Sequence, residues 1–170
     1  MKAAKSLRPT TGKVREALFN ILRRRIEGAI FLDLYAGTGA VGLEALKQGA
    51  AEVVFVEAGR SSAGSIDEAI ARYRFTDRAL VITKKVLSFL ESAEISLRTF
   101  DIIFLDPPYH TEEILLALSA VGESNILRDN GIVAAEHFAK RQLPDTVNGL
   151  QKTKAYRYGD TVLSFYEKRV

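Results

Sequence analysis

The chain has no cysteine, which excludes disulfides and thiolate metal sites and suits a reducing cytoplasm. It has no run approaching ~18 consecutive apolar residues, so no membrane span is expected. The first residues carry lysines but no apolar segment of the kind a secretory leader needs, so no signal peptide is expected and a cytoplasmic location is. Only two histidines are present, His110 and His137. Neither has a partner at metal-ligand spacing, so no metal is expected. His110, following a turn, reads as a solvated residue rather than a general base, and His137 as packing or edge. Proline is scarce, four in all, and two of the four stand side by side at Pro107 and Pro108. Repeats, low-complexity tracts and linkers are absent. One domain over residues 1–170 is therefore expected, with a basic lead-in and helix over 1–27 and a sheet-and-helix core over 28–170.

What is present is an ordinary globular balance, 47% hydrophobic and 26% charged, which argues against disorder. The net charge of +3 hides an uneven distribution. Residues 1–27 hold eight Lys/Arg against two acids (net +6), residues 28–137 nine against sixteen (net −7), and residues 138–170 seven against three (net +4). Basic ends around an acidic centre suit a polyanion gripped by the ends and a cationic group held by the middle.

Pro9 makes Leu7–Thr11 an extended lead-in, and Thr10 or Thr11 can cap a helix to about Arg25, with Val14, Leu18, Ile21 and Leu22 on one face. Short apolar strands are expected over Ile30–Tyr35, Val53–Val56, Leu80–Thr83, Phe100–Leu105 and, after an Asn130-Gly131 turn, Ile132–Glu136. Helical segments alternate with them. Thr153–Tyr158 and Thr161–Glu167, joined at Gly159-Asp160, read as a hairpin. The order gives an α/β fold with a mostly parallel sheet and an antiparallel edge.

Gly37-Thr38-Gly39-Ala40-Val41-Gly42 fits G-x-G-x-x-G between a strand and a helix, with Glu57 ending the next strand. By spacing alone this is a dinucleotide fingerprint, the acid being placed for ribose hydroxyls, and a nicotinamide oxidoreductase stays open. Asp33 changes the reading. A carboxylate just before the loop is a poor neighbour for a pyrophosphate at a helix N-terminus and a good one for a ligand carrying an ammonium and a sulfonium. Asp33-Leu34-Tyr35-Ala36-Gly37-Thr38-Gly39 resembles the first motif of class I S-adenosylmethionine-dependent methyltransferases. The resemblance implies that Asp33, Tyr35, Ala36, Gly37, Thr38 and Gly39 lie around the methionine part and that Glu57 holds the ribose.

Ile102-Ile103-Phe104-Leu105 is a strand buried on both faces that stops at Asp106-Pro107-Pro108-Tyr109, the end of the strand where open α/β sheets bind ligands. An exocyclic amino nitrogen of a base is a poor nucleophile because its lone pair is delocalised into the ring. Asp106 and the Pro107 carbonyl can accept its two N–H groups and localise that pair; the proline rings of Pro107 and Pro108 stiffen the geometry. Tyr109 can stack on a flipped base. The four residues resemble the [Asp/Asn]-Pro-Pro-[Tyr/Phe] signature of amino-group methyltransferases.

Arg8-Pro9-Thr10-Thr11-Gly12-Lys13-Val14-Arg15-Glu16-Ala17-Leu18-Phe19-Asn20, the Asp33–Gly39 motif, Asp106–Tyr109 and the Tyr158-Gly159-Asp160 hairpin together resemble the bacterial 16S rRNA guanine-N2 methyltransferase family (RsmD-like) from Leu7 to Val170. The resemblance implies a Rossmann-like, seven-stranded mostly parallel sheet with helices on both faces and a C-terminal hairpin. It implies S-adenosylmethionine as donor, S-adenosylhomocysteine as product, and ribosomal RNA or the assembling 30S subunit as partner; a monomer is expected. Arg8, Thr10, Thr11, Lys13 and Arg15 are then expected on the RNA side. Many family members begin with a basic β-hairpin, whereas only Met1–Ser6 precede the motif here. Either chain is missing, or the grip rests on Lys2, Lys5, Arg8, Lys13 and Arg15. Lys84-Lys85-Val86 stands where the family often has a small or acidic residue beside the adenine, and Val86 is expected among the cofactor-binding residues. An adenine-N6 methyltransferase and a non-catalytic RNA-binding module are the competing readings. The first lacks a separate target-recognition region, and an intact Asp106-Pro107-Pro108 opposes the second.

Overall fold

Five strands of parallel sense form one side of a single sheet, and the side chains of the inner ones explain why. In the computed structural model, which describes residues 11–92, 98–108 and 112–169, Phe31, Leu32, Val53 to Val56 and Ile102 to Leu105 are almost fully buried on both faces, as strands covered by helices on either side must be. These are β1 (Ile30–Leu34), β2 (Glu52–Glu57), β3 (Ala79–Thr83), β4 (Phe100–Leu105) and β5 (Leu127–Phe138). Three further strands, β6 (Thr146–Val147), β7 (Leu150–Tyr158) and β8 (Thr161–Lys168), complete the sheet in the order β3-β2-β1-β4-β5-β8-β7-β6. Among the described residues the sheet therefore has eight strands rather than the expected seven. The extra one is the two-residue β6, which turns back through Asn148-Gly149 to pair with Leu150 and Gln151. β5 and β8 are antiparallel, as are β7 and β8, so the parallel sheet with an antiparallel edge stands.

The helices are α1 (Gly12–Ile26), α2 (Ala40–Lys47), α3 (Arg60–Arg72), α4 (Val86–Glu91) and α5 (Glu113–Glu123). α1 to α3 pack on one face around Phe31, Phe55, Phe104 and Phe165, and α4 and α5 on the other around Leu34, Ile103, Leu105 and Tyr166. Thr11 caps α1 by accepting the Val14 N–H at 3.3 Å, and Arg23, Arg24 and Arg25 close its last turn, where cations oppose the negative end of the helix dipole.

Two boundaries differ from expectation, each for a local reason. Asn130-Gly131 does not precede β5; it lies within it, in a bulged segment where Phe100 pairs with Leu127 and Ile102 already pairs with Ile132. Asp101 holds that irregularity, accepting the Ile30 N–H at 2.8 Å and an Arg128 N–H at 2.9 Å, which also ties β1 to β4. β7 begins at Leu150 rather than Thr153, because a register shift between Lys152 and Lys154 masks the alternation that marks a strand. No helix among the described residues is long and apolar enough to cross a membrane.

β1 and β4 are neighbours at the centre, yet the chain leaves β1 toward β2 and β3 and returns to β4. Connections that depart in opposite directions open a crevice at the carboxyl ends of those two strands.

Candidate active site

Asp33 and Asp106 come to that crevice from adjacent strands: Leu34 pairs with Leu105 in the β1–β4 register, and Asp106 follows at once. The cleft has a volume of about 800 Å³ and includes Asp33, Glu57, Asp106 and Glu113 among its lining residues, against one lysine, Lys85. Four carboxylates against one ammonium make it an anionic pocket suited to a cationic ligand.

The loop after β1 forms the floor. Tyr35, Gly37 and Gly39 all have positive φ, at 61°, 59° and 80°, so glycine is required at two of these positions and tolerated strain is carried at Tyr35. The loop is tied down by its own backbone. The Ala36 N–H donates to the Val56 carbonyl at 3.0 Å, and the Gly39 N–H to the Ala36 carbonyl at 2.8 Å. Glu57 clamps it from the side, accepting the Gly37 N–H at 2.7 Å through Oε1 and the Gly59 N–H at 2.9 Å through Oε2. Each of those oxygens has a second lone pair, so Glu57 retains acceptor capacity toward hydroxyls. Thr38 lines the cleft, and its Oγ1 accepts the N–H of Ala40, the first residue of α2, at 3.3 Å.

Asp33 is 1% exposed and accepts the Gly42 N–H at 3.0 Å through Oδ2. Burial, and after it the negative charges of Asp106 and Glu57, hold its carboxyl well above the usual range, although the Gly42 bond pulls the other way. The third glycine serves packing instead, since a Cβ at Gly42 would run into the Phe55 ring, which is itself fully buried in β2. Gly42→Ala is expected to destabilise the fold by about 1–3 kcal/mol through overpacking, read as a lower urea midpoint at unchanged slope.

Glu113, in the first turn of α5, is a site residue that sequence reasoning missed; nothing in the run Glu112-Glu113 marks one acid over the other. It lines the cleft, while Glu112 instead pairs on the surface with Arg141 at 2.7 Å. The Tyr35 hydroxyl is buried without a fully aligned hydrogen bond. Burial, and then the nearby Glu113 carboxylate, raise its pKa above the ordinary phenol value. Tyr35 thus links the loop after β1 to the helix after Asp106. The opposite wall is the start of α4, where Lys85, Val86, Leu87 and Ser88 line the cleft and the Lys84 N–H donates to the Glu57 carbonyl at 3.2 Å.

Of the expected residues, Asp33, Tyr35, Ala36, Gly37, Thr38, Glu57, Val86, Asp106, Pro107 and Pro108 share this cleft. Gly39 is the N-cap residue of α2. Thr11 caps α1, Lys13 is exposed, and Arg15 is half-buried on the helical row of Phe19, Leu22 and Ile26 that faces the sheet. Arg8, Thr10, Tyr109 and His110 lie outside the described residues, as do Lys2 and Lys5. His137 is the penultimate residue of β5. Its Nε2 is 2.8 Å from Ser164 Oγ and its Nδ1 3.0 Å from the Phe138 carbonyl, and burial lowers its pKa. It is a packed residue.

The model of the family described as Conserved hypothetical protein 95 matches residues 1–167. The chain is 34% identical to the Bacillus subtilis protein YlbH, an rRNA methyltransferase by name, over 98% of this chain and 91% of that one. It is also 34% identical to ribosomal RNA small subunit methyltransferase D of Haemophilus influenzae, over 78% of this chain and 69% of that one. Among solved structures, the Escherichia coli protein yhhF, a methyltransferase by name, superposes with a TM-score of 0.86 at 26% identity, covering 96% of this chain and 90% of its own. The methyltransferase-like fold, the anionic cleft at the β1–β4 switch point and these relatives agree: the chain belongs to the Conserved hypothetical protein 95 family, as an RsmD-like member.

Proposed function

We propose that the protein is an S-adenosylmethionine-dependent methyltransferase acting on the exocyclic N2 amino group of a guanine in small-subunit (16S) ribosomal RNA. The observation that carries the reading is one cleft shared by the carboxylates Asp33 and Glu57, at the ends of β1 and β2, and by Asp106-Pro107-Pro108, at the end of β4. The residues present fit the donor, since a net anionic lining and a buried carboxylate perturbed by two more carboxylates leave a place for positive charge. Asp33 and the Tyr35–Gly39 loop would hold the methionine part, Glu57 the ribose hydroxyls, and Val86 the adenine. When bound, the donor supplies an activated methyl group on a sulfonium.

The chain's own residues do the rest. The Asp106 carboxylate and the Pro107 carbonyl accept the two amino hydrogens, which draws the nitrogen toward a tetrahedral shape and localises its lone pair. Asp106 then takes the proton released from the methylated amine, directly or through water. Pro107 is buried, and Asp106 is half-buried beside it, so the acceptors are held in place before the base arrives. Tyr109 would stack on that base. The choice of guanine rests on the resemblance carried by the lead-in Arg8–Asn20, and that of small-subunit RNA also on the relatives named small subunit methyltransferase D. The expected result with methyl-labelled donor and undermethylated 30S particles is label in N2-methylguanosine. Label in adenine would overturn the base assignment, and label on neither would overturn the enzyme.

Lys13 and Arg15 lie in the first turn of α1. Replacing both by alanine is expected to weaken RNA binding and to flatten its log–log salt dependence by roughly one to two, since each phosphate contact contributes about 0.7–0.9 to the slope. Titration of labelled RNA at several salt concentrations checks this; an unchanged slope would remove both from the interface.

A further inference from the structure

Five consecutive residues of β7, Thr153 to Arg157, are exposed. β6 pairs with β7 only at Leu150 and Gln151. Regular alternation would put Lys154 on the same face as Lys152, which lies opposite Tyr166 and donates to the Leu143 carbonyl at 2.8 Å on the α4–α5 side. The register slips between them instead. Thr153 is the extra residue of a β-bulge, a feature that re-aims side chains. Lys154 then comes opposite Phe165, Tyr156 opposite Leu163 and Tyr158 opposite Thr161, so all three share the face that carries α1. Tyr156 is anchored edge-on to Phe165, with centroids 6.2 Å apart, and still leaves 38% of its surface exposed. Tyr158 lies at the cleft end of the sheet, because its partner Thr161 pairs with Phe138 at the carboxyl end of β5.

α1 supplies the other side. Phe19 stacks on Phe31 of β1 at 6.4 Å, and Arg25 reaches Glu167 of β8 at 3.7 Å. The flank turned away from β1 therefore looks toward β8 and β7. Along it run Lys13, Ala17, Ile21 and Arg24, at helical spacing.

We infer that Lys154, Tyr156 and Tyr158 of β7, with Lys13 and Arg24 of α1, bind single-stranded RNA flanking the target nucleotide. The inference rests on the rRNA reading above. Tyrosine faces stack bases without regard to sequence, and interleaved cations follow the phosphates. Lysine on a sheet edge also serves to prevent edge-to-edge pairing. That protection needs a charge and no ring, whereas here the bulge brings rings and charge onto one face.

The test is anisotropy titration of a fluorescein-labelled 20-nucleotide single-stranded RNA of mixed sequence. Tyr156→Ala should weaken binding about 10-fold, within the range for losing one stacked base, while Tyr156→Phe stays within about 2-fold because stacking survives. Lys154→Ala should lower the log–log salt slope by roughly 0.7, and Lys47→Ala, on the far end of α2, should leave it unchanged. Wild-type binding by Tyr156→Ala, equal loss in Tyr156→Phe, or equal loss in Lys47→Ala would each overturn the inference. Should Tyr156→Ala fail to fold, the Lys154→Ala slope decides alone, an unchanged slope overturning it. Methyl transfer by the wild type is scored separately. Binding that depends on β7 without any transfer upholds this surface and removes the enzyme reading; transfer with binding indifferent to β7 does the reverse.

Discussion

Asp106→Ala is expected to lower turnover at least ~100-fold, the scale of removing one preorganised transition-state acceptor, while donor affinity stays close to wild type. The split follows from where Asp106 stands. It leaves β4 immediately after Leu105, so it is aimed by a strand whose four preceding residues are almost completely buried, and it shares the cleft with Asp33 and Glu57. Its charge is among the groups that hold the Asp33 carboxyl above its usual range. Removing that charge lets Asp33 ionise more readily, which favours a cationic ligand. Calorimetry with the donor and single-turnover transfer to 30S particles measure the two quantities separately. A loss of donor affinity matching the loss of turnover would place Asp106 in the donor site rather than at the amino group.

Asp33→Asn should move stability and donor affinity in opposite directions. The asparagine Oδ1 can still accept the Gly42 N–H, so the start of α2 keeps its anchor. What disappears is a buried charge crowded by Asp106 and Glu57. The sign is set by linkage. A carboxyl whose pKa is raised on folding stabilises least when ionised, so its penalty is full above the raised folded value and fades as pH falls from there to the unfolded value of about 4. The donor-free variant should therefore melt higher than wild type near pH 7, by about 2–4 °C per kcal/mol relieved. The gap should close toward pH 4. Donor binding should weaken at least ~10-fold, since an ion pair in a low-dielectric site is lost. In the wild type, binding should strengthen as pH rises through the Asp33 titration and should release protons. Melting curves from pH 4 to 8, with calorimetry in two buffers, check both. Unchanged donor affinity in Asp33→Asn would reduce Asp33 to a scaffold for α2.

Much of this is legible in the sequence. Val53–Val56 and Ile102–Leu105 are apolar at every position, which only a strand covered on both faces tolerates, and the Gly37–Gly42 loop with Asp33 before it marked the cleft. The misreadings came where an irregularity of register broke a period. The bulge at Thr153 concealed the first half of β7, and the bulged segment Arg128–Gly131 made the interior of β5 look like a turn. The short β6 carries too few residues to show any period at all.

What the sequence determined by itself was the order of elements and the identity of the chemical groups at the strand ends, because alternation, helical spacing and glycine or proline breaks act over a few neighbouring residues. Only the tertiary structure decided that Glu113 and not Glu112 enters the cleft, that Glu57 clamps Gly37 and Gly59, that Asp33 is buried among like charges, and that Lys154 shares a face with Tyr156 and Tyr158. Each of these depends on register and burial between segments far apart in the chain, and no local pattern encodes which side of a neighbour a side chain will meet.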